Sequence, residues 1–241
     1  MSDSQEPLVL YAIGDIHGQL EMLRELHRKI LRYHRRYYGG WRGRLVYIGD
    51  YIDRGPSSRG VIDCVREGLP GFSSVFLRGN HEVMMTRCLE VDAREAWLQW
   101  VTNGGEETLK SFDYPIGQKG IDRDFLRQCV GEERIDWLSS LRQTYVHADY
   151  LFVHAGVRPG VKLEKQREQD LLWIREPFLK SKKDFGHLVV HGHTPVDEPE
   201  VLPNRIDIDT GAGFDRKLTA LVIDRPADEL LEHPVFISAK G

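Results

Sequence analysis

Apolar residues along the chain fall into short runs that stop abruptly at glycine, aspartate, asparagine or histidine. Residues 8–13 lead into Gly14-Asp15-Ile16-His17-Gly18, and residues 45–48 lead into Gly49-Asp50-Tyr51-Ile52-Asp53-Arg54-Gly55. Residues 75–77 precede Gly79-Asn80-His81-Glu82, residues 151–153 precede His154-Ala155-Gly156, and residues 188–190 precede His191-Gly192-His193-Thr194. Short runs rich in β-formers, without polar alternation, predict strands buried on both faces; in open α/β sheets ligands gather beyond the carboxyl ends of such strands. The pattern therefore predicts an α/β fold whose five strand ends converge on one place.

Between these runs the period changes. Leu20, Leu23, Leu26, Ile30, Tyr33 and Tyr37 recur every three or four residues, predicting an amphipathic helix that runs to about Tyr38 and is broken by Gly39-Gly40. On it, His27 and His34 sit seven apart among Arg28, Lys29, Arg32, Arg35 and Arg36; they are read as part of a solvated basic face rather than as a metal pair. Pro56-Ser57-Ser58 opens a second helix with Val61, Ile62 and Val65 inward, closed by Gly68 to Gly71. From Val83 to about residue 145, apolar residues such as Met84, Leu89, Trp97, Trp100, Leu126 and Leu138 keep helical spacing, predicting a mostly helical insertion broken at Gly104-Gly105 and by a loop at 114–120. The chain is expected to rejoin the sheet at Tyr150. Leu171-Leu172-Trp173-Ile174 reads as a short buried helix or strand ahead of Arg175. Residues 206–209 and 218–223 read as strands joined through Thr210-Gly211-Ala212-Gly213 in a hairpin. With no repeat, low-complexity tract or linker, one domain spanning 1–241 is expected.

Composition narrows the function classes. Lysine and arginine number 33 against 37 aspartate and glutamate, a net charge of −4, which gives no reason to expect nucleic acid or an anionic membrane as partner. Cys64, Cys88 and Cys129 are odd in number and far apart, neither a disulfide framework nor a CxxC pair. The polar start, Met1 to Pro7, is unlike a signal peptide, and no run approaches the roughly 18 apolar residues of a membrane span. A cytoplasmic protein is the expectation.

Collected, the strand ends supply Asp15, His17, Asp50, Asn80, His154 and His193. Carboxylate, amide oxygen and imidazole together suit Mn, Fe or Zn better than Ca or a thiolate-bound metal. A carboxylate can bridge, so six ligands with one shared aspartate can hold two cations; such a pair generates hydroxide near neutral pH and steadies the oxygens of an in-line displacement on a phosphate ester. Arg54 then has a task, since a guanidinium fork matches phosphoryl oxygens.

The five motifs, with softer matches at 100–109 (WVTNGGEETL), 171–175 (LLWIR) and 208–221, resemble the phosphoprotein phosphatase family of binuclear metallophosphatases, and most closely its bacterial and bacteriophage lambda branch. That resemblance implies a calcineurin-like four-layer α/β/β/α sandwich of two mixed sheets. It implies Asp15 and His17 on one metal, Asp50 bridging, and Asn80, His154 and His193 on the other. His81 would be the general acid, oriented by Asp53, with Arg54 and Arg175 on the phosphoryl oxygens. The wider superfamily often has a histidine two residues beyond the position of His193; here it is Pro195, leaving the first metal fewer protein ligands, while His191 stands as a neighbour of the ligands. The activity implied is a serine/threonine protein phosphatase acting on phosphoprotein or phosphopeptide. Alternatives on the same scaffold are a diadenosine-tetraphosphate-type hydrolase with a nucleotide substrate, a phosphotyrosine or dual-specificity phosphatase, and a nuclease, which the net acidity disfavours. A catalytically silent binding module would have no need of the complete ligand set.

Overall fold

The computed structural model describes residues 7–90, 94–116 and 122–241. Residues 1–6, read above as unlike a signal peptide, and most of the loop expected at 114–120 lie outside the described residues. Two five-stranded mixed sheets pack face to face. In the first, β1 (Leu8–Ile13), β2 (Arg42–Tyr47) and β3 (Phe72–Phe76) run parallel, and β9 (Lys217–Ile223) and β10 (Val235–Lys240) extend it antiparallel on the other side of β1. The second has the order β4 (Thr144–His147), β5 (Tyr150–Val153), β6 (Leu188–His191), β8 (Arg205–Asp207), β7 (Glu200–Leu202), parallel at its centre and antiparallel at both edges.

The missing polar alternation has a direct cause. Along β1 and β2, Leu10, Ala12 and Val46 meet Phe152, Val190 and Ile206 of the second sheet, whereas Val9, Tyr11, Leu45 and Tyr47 pack outward on helices. Both faces of these strands are covered, so both are apolar. The outer layer over the first sheet holds α1 (Leu20–Tyr37), α2 (Ser58–Glu67) and the expected insertion: α3 (Asn80–Glu90), α4 (Arg94–Trp100), a wide turn at Val101–Gly105, α5 (Glu106–Ser111), α6 (Arg123–Val130) and α7 (Glu132–Ser140). Over the second sheet the short α8 (Glu168–Trp173) and the loops carrying Val157 and Phe178 cover Leu151, Val153 and Val189. A last helix, α9 (Ala227–Glu232), links β9 to β10.

Three expectations need correction. The chain re-enters a sheet at Thr144, ahead of Tyr150, because β4 pairs antiparallel with β5. Residues 206–209 and 218–223 do not form a hairpin: β8 pairs with β6 and β7, and β9 with β1 and β10. Their apolar side chains, Ile206, Ile208 and Leu221, meet face to face in the inter-sheet core; two apolar runs joined by a glycine-bearing turn look alike in sequence whether they pair by edge or by face. His27 and His34 are not on a solvated face either. Seven residues is about two helical turns, which places both in phase with Leu23 and Ile30. His27 is buried with Nε2 2.9 Å from the Tyr47 hydroxyl, and His34 Nδ1 lies 3.1 Å from the Tyr11 hydroxyl. The arginines around them do face solvent.

Burial pushes the His27 imidazole down to about 4, so the folded protein resists a proton that the unfolded chain, near 6.5, accepts. The stability this neutral histidine permits is fully present above about pH 6.5 and is lost as pH falls towards 4. Thermal unfolding of His27→Gln is expected to depend less on pH in that window, by on the order of 2–3 kcal/mol; an unchanged pH dependence would place the acid sensitivity elsewhere.

Candidate metal centre

All six residues expected to gather do so, at the carboxyl ends of β1, β2, β5 and β6 and at the start of α3. The backbone there is strained: His17, Asp50, Asp53, Arg54 and His193 all have positive φ, between 48° and 72°, although none is glycine. Such conformations cost of order 1–3 kcal/mol each and cluster at functional sites. Here they fall on the three loops after β1, β2 and β6 that bring the candidate ligands together.

Two groups of metal-ligating atoms, each within 4.8 Å of one another, share Asp50: one adds His17 and His81, the other His154 and His193. The hydrogen bonding of the rings shows what these atoms await. His154 Nδ1 is 3.1 Å from the carbonyl of Ile48 and so carries the proton, which leaves Nε2 as a lone pair 2.8 Å from the Asn80 Oδ1. The same oxygen lies 3.0 Å from His193 Nδ1. Two acceptors this close are reconciled by a cation that both ligate, by a proton on the ring or by exchange of the amide O and N, and burial pushes His154 down, against the proton. His17 repeats the arrangement: Nδ1 donates to the carbonyl of Ile52 at 2.8 Å, and Nε2 is turned toward Asp50 Oδ2 at 3.4 Å. Burial likewise pushes His17 and His193 down, His193 to about 3.

The carboxylates tell the same story with the opposite charge. Asp15 accepts the His193 backbone N–H at 3.0 Å through Oδ2, while its Oδ1 is buried with no partner. Burial, with Asp209 and Asp50 close by, pushes Asp15 well above the carboxylate range. Gly192 is glycine for this reason, since a Cβ there would lie 2.2 Å from that oxygen. Asp50 is held below the usual range: burial works against its charge but is outweighed by His154, His81, His17 and His193. An orphaned carboxylate oxygen, lone pairs aimed at one another and a mixed N/O donor set fit borderline divalent ions.

Beside these groups, His81 donates Nδ1–H to Asp53 Oδ2 at 2.7 Å and presents Nε2 to Arg54, 3.3 Å away. Burial opposes a charge on His81 and is outweighed by Asp50 and the Asp53 bond, which hold it above its ordinary value. Arg54 also reaches His17 Nε2 at 2.9 Å and lies over the Phe214 ring. A cavity of about 300 Å³ opens onto Asp50, Arg54, Asn80, His81, Arg175 and His193, with Asn103 and Trp173 completing its wall. Arg175 thus sits with the others, on the exposed rim. His191 does not join them: its Nε2 is 3.2 Å from Arg205 and its Nδ1 3.7 Å from Asp207.

Sequence reasoning missed several residues. Glu82, quoted within its motif but given no task, is fully buried and accepts the backbone N–H groups of Asp50, Tyr51 and Gly79 at 2.8–2.9 Å, tying the second and third loops together. Burial and the nearby Asp50 push it up to about 7. A carboxylate opening a helix of buried residues was the available signal. Asp209, near Asp15 and Asp50, is pushed up to about 6 by burial; at a strand end of the misread hairpin it was overlooked.

The calcineurin-like phosphoesterase family profile matches residues 8–220. The chain belongs to this family. It is accordingly a metal-dependent phosphoester hydrolase. A Salmonella typhimurium protein named serine/threonine-protein phosphatase 1 is 30% identical over 87% of this chain and 89% of its own length. A Halalkalibacterium halodurans protein named bis(5'-nucleosyl)-tetraphosphatase PrpE is 28% identical over 87% of each chain. A crystal structure provisionally described as a diadenosine tetraphosphatase superposes with a TM-score of 0.65, covering 100% of this chain and 96% of that one at 19% identity, which reports on the fold alone.

Proposed function

We propose that the chain is a serine/threonine protein phosphatase acting on phosphoprotein or phosphopeptide monoesters. The observation that carries this reading is the buried His81–Asp53 pair, bonded at 2.7 Å, with the His81 Nε2 on the wall of the cavity beside Arg54. A serine or threonine alkoxide leaves only if it receives a proton, whereas a nucleotide leaves a polyphosphate chain as an already stable anion. An imidazole held above its ordinary pKa by Asp50 and Asp53, with Nε2 on the cavity wall, serves the first substrate as its acid and is superfluous for the second. The similarity to the Salmonella phosphatase agrees with this choice.

Asp15, His17 and Asp50 would hold one divalent ion, and Asp50, Asn80, His154 and His193 a second, supplying Lewis-acid polarisation of phosphoryl oxygens and activation of water; we propose Mn, with Fe and Zn as the other candidates on this donor set. Arg54 and Arg175, which both line the cavity, orient the phosphoryl group. Asp53 fixes the His81 ring so that Nε2 delivers its proton to the ester oxygen, and Glu82 holds the Asp50 loop against α3. The unpaired thiols of Cys64, Cys88 and Cys129 suit a reducing, cytoplasmic setting, and no described helix is long and apolar enough to cross a membrane.

The test is a chelated sample resupplied with Mn and assayed on a phosphoserine peptide, a phosphotyrosine peptide and diadenosine tetraphosphate. Activity is expected to vanish on chelation, return with Mn, and show the highest kcat/KM on the phosphoserine peptide. Diadenosine tetraphosphate as the best substrate would assign the chain to the nucleotide hydrolases; full turnover after complete chelation would remove the binuclear reading.

A further inference from the structure

The helical insertion carries a stretch, Trp100 to Thr108, that the chemistry above does not use. Its side chains and backbone nevertheless end on two residues of the Asp50 loop, Asp53 and Arg54. Asp53 is fully buried, and its carboxylate receives three donors: His81 at 2.7 Å, the Trp100 indole N–H at 3.0 Å to each oxygen, and the Thr108 hydroxyl at 2.6 Å. The Asp53 backbone N–H is bound as well, to Thr108 Oγ1 at 2.9 Å and Ser58 Oγ at 3.1 Å, and those two hydroxyls are 2.8 Å apart. One residue on, the Arg54 N–H donates to the carbonyl of Gly104 at 3.1 Å. Gly104 itself has φ of 104°, and a Cβ on it would lie 2.8 Å from Arg54 Cγ. Gly105 does the same for the indole, which a Cβ would meet at 2.8 Å.

We propose that the spacing Trp100-x-x-x-Gly104-Gly105-x-x-Thr108 is a positioning module: the insertion reaches back to hold Asp53 and Arg54 in their left-handed backbone conformations and to fix the Asp53 carboxylate that orients His81. This deepens the proposed function and rests on it. The physical need is plain. Asp53 and Arg54 have φ of 72° and 68°, which non-glycine residues leave when nothing holds them. A carboxylate with only one partner can also rotate, and the His81 ring with it, whereas a buried one fixed by indole and hydroxyl presents Nε2 in a single direction. Trp100 and Thr108 touch no reacting atom; they act through Asp53, and Gly104 acts through Arg54.

The two arms predict different kinetics. Thr108→Val and Trp100→Phe are expected to lower kcat about 10- to 100-fold on a phosphoserine peptide, with a smaller loss on p-nitrophenyl phosphate, whose leaving group needs no proton, and with both metals retained. Thr108→Ser, which keeps the hydroxyl, restores the parent rate. Gly104→Ala displaces Arg54 and lowers kcat/KM by the same factor on both substrates, because both carry the phosphoryl group. Each variant is measured beside His81→Ala. If His81→Ala discriminates between the leaving groups while Thr108→Val and Trp100→Phe do not, or if Thr108→Ser is no better than Thr108→Val, the module is merely structural and the proposal falls, with the proposed function intact. If His81→Ala itself fails to discriminate, the proposed function and the module fall together. Should Thr108→Val not fold, Trp100→Phe and Thr108→Ser decide the matter.

Discussion

Asp50→Asn is expected to lose one or both metal ions and, with them, more than about a hundredfold in activity. Asp50 is the one residue common to both groups of converging ligand atoms, with Oδ2 3.4 Å from His17 Nε2 and Oδ1 3.5 Å from His154 Nε2. An amide of the same shape keeps one oxygen but surrenders the charge, and its nitrogen cannot ligate. The loss is compounded electrically, since Asp50 supports a charge on His81 and opposes one on Asp15. Its Oδ1 also accepts the His81 backbone N–H at 3.1 Å, which fixes the start of α3. Metal content per chain, measured after gel filtration, is the decisive readout. Retention of both ions with activity lost would mean that Asp50 is not shared, and that its role is confined to orienting α3.

Much of this was legible because strand ends advertise themselves. A run such as residues 45–48 is apolar on both faces, and the chemistry that follows cannot be structural by the same logic, so Asp50 and Asp53 stood out. The positive φ values of His17, Asp50, Asp53, Arg54 and His193 were invisible: glycine announces such a conformation, whereas these residues adopt it only under tertiary constraint. The hairpin misreading has the same origin, because Ile206 and Leu221 are apolar for contact across sheets, and composition does not say which neighbour is met. His27 was misread through its company; the flanking arginines are exposed, while the period of seven, taken alone, puts it inward with Leu23 and Ile30. Trp100 and Thr108 lie in the softer family match at 100–109 but carried no assigned task, since a hydrogen bond to Asp53 across 47 or 55 residues leaves no trace in local pattern.

His81→Ala separates the chemistry from the metals. His81 lies one residue from Asn80, and its Nε2 is 3.9 Å from Asp50 Oδ2, near enough to belong to the first ligand group by distance. Its other nitrogen is committed to Asp53, and the pair of carboxylates holds its proton more firmly than an ordinary imidazole would, which is what an acid requires and a ligand must avoid. The variant is therefore expected to keep its metals and lose about 10²–10⁴ in kcat on a phosphoserine peptide, roughly 3–5 kcal/mol of transition-state stabilisation, with little change in KM. On p-nitrophenyl phosphate the penalty shrinks, because the phenolate leaves without a proton; the comparison holds where chemistry limits both rates, which a burst experiment establishes. Equal losses on the two substrates, or metal lost together with activity, would move His81 from the acid's role to that of a ligand, and the 2.7 Å bond to Asp53 would then serve to orient a metal-binding ring.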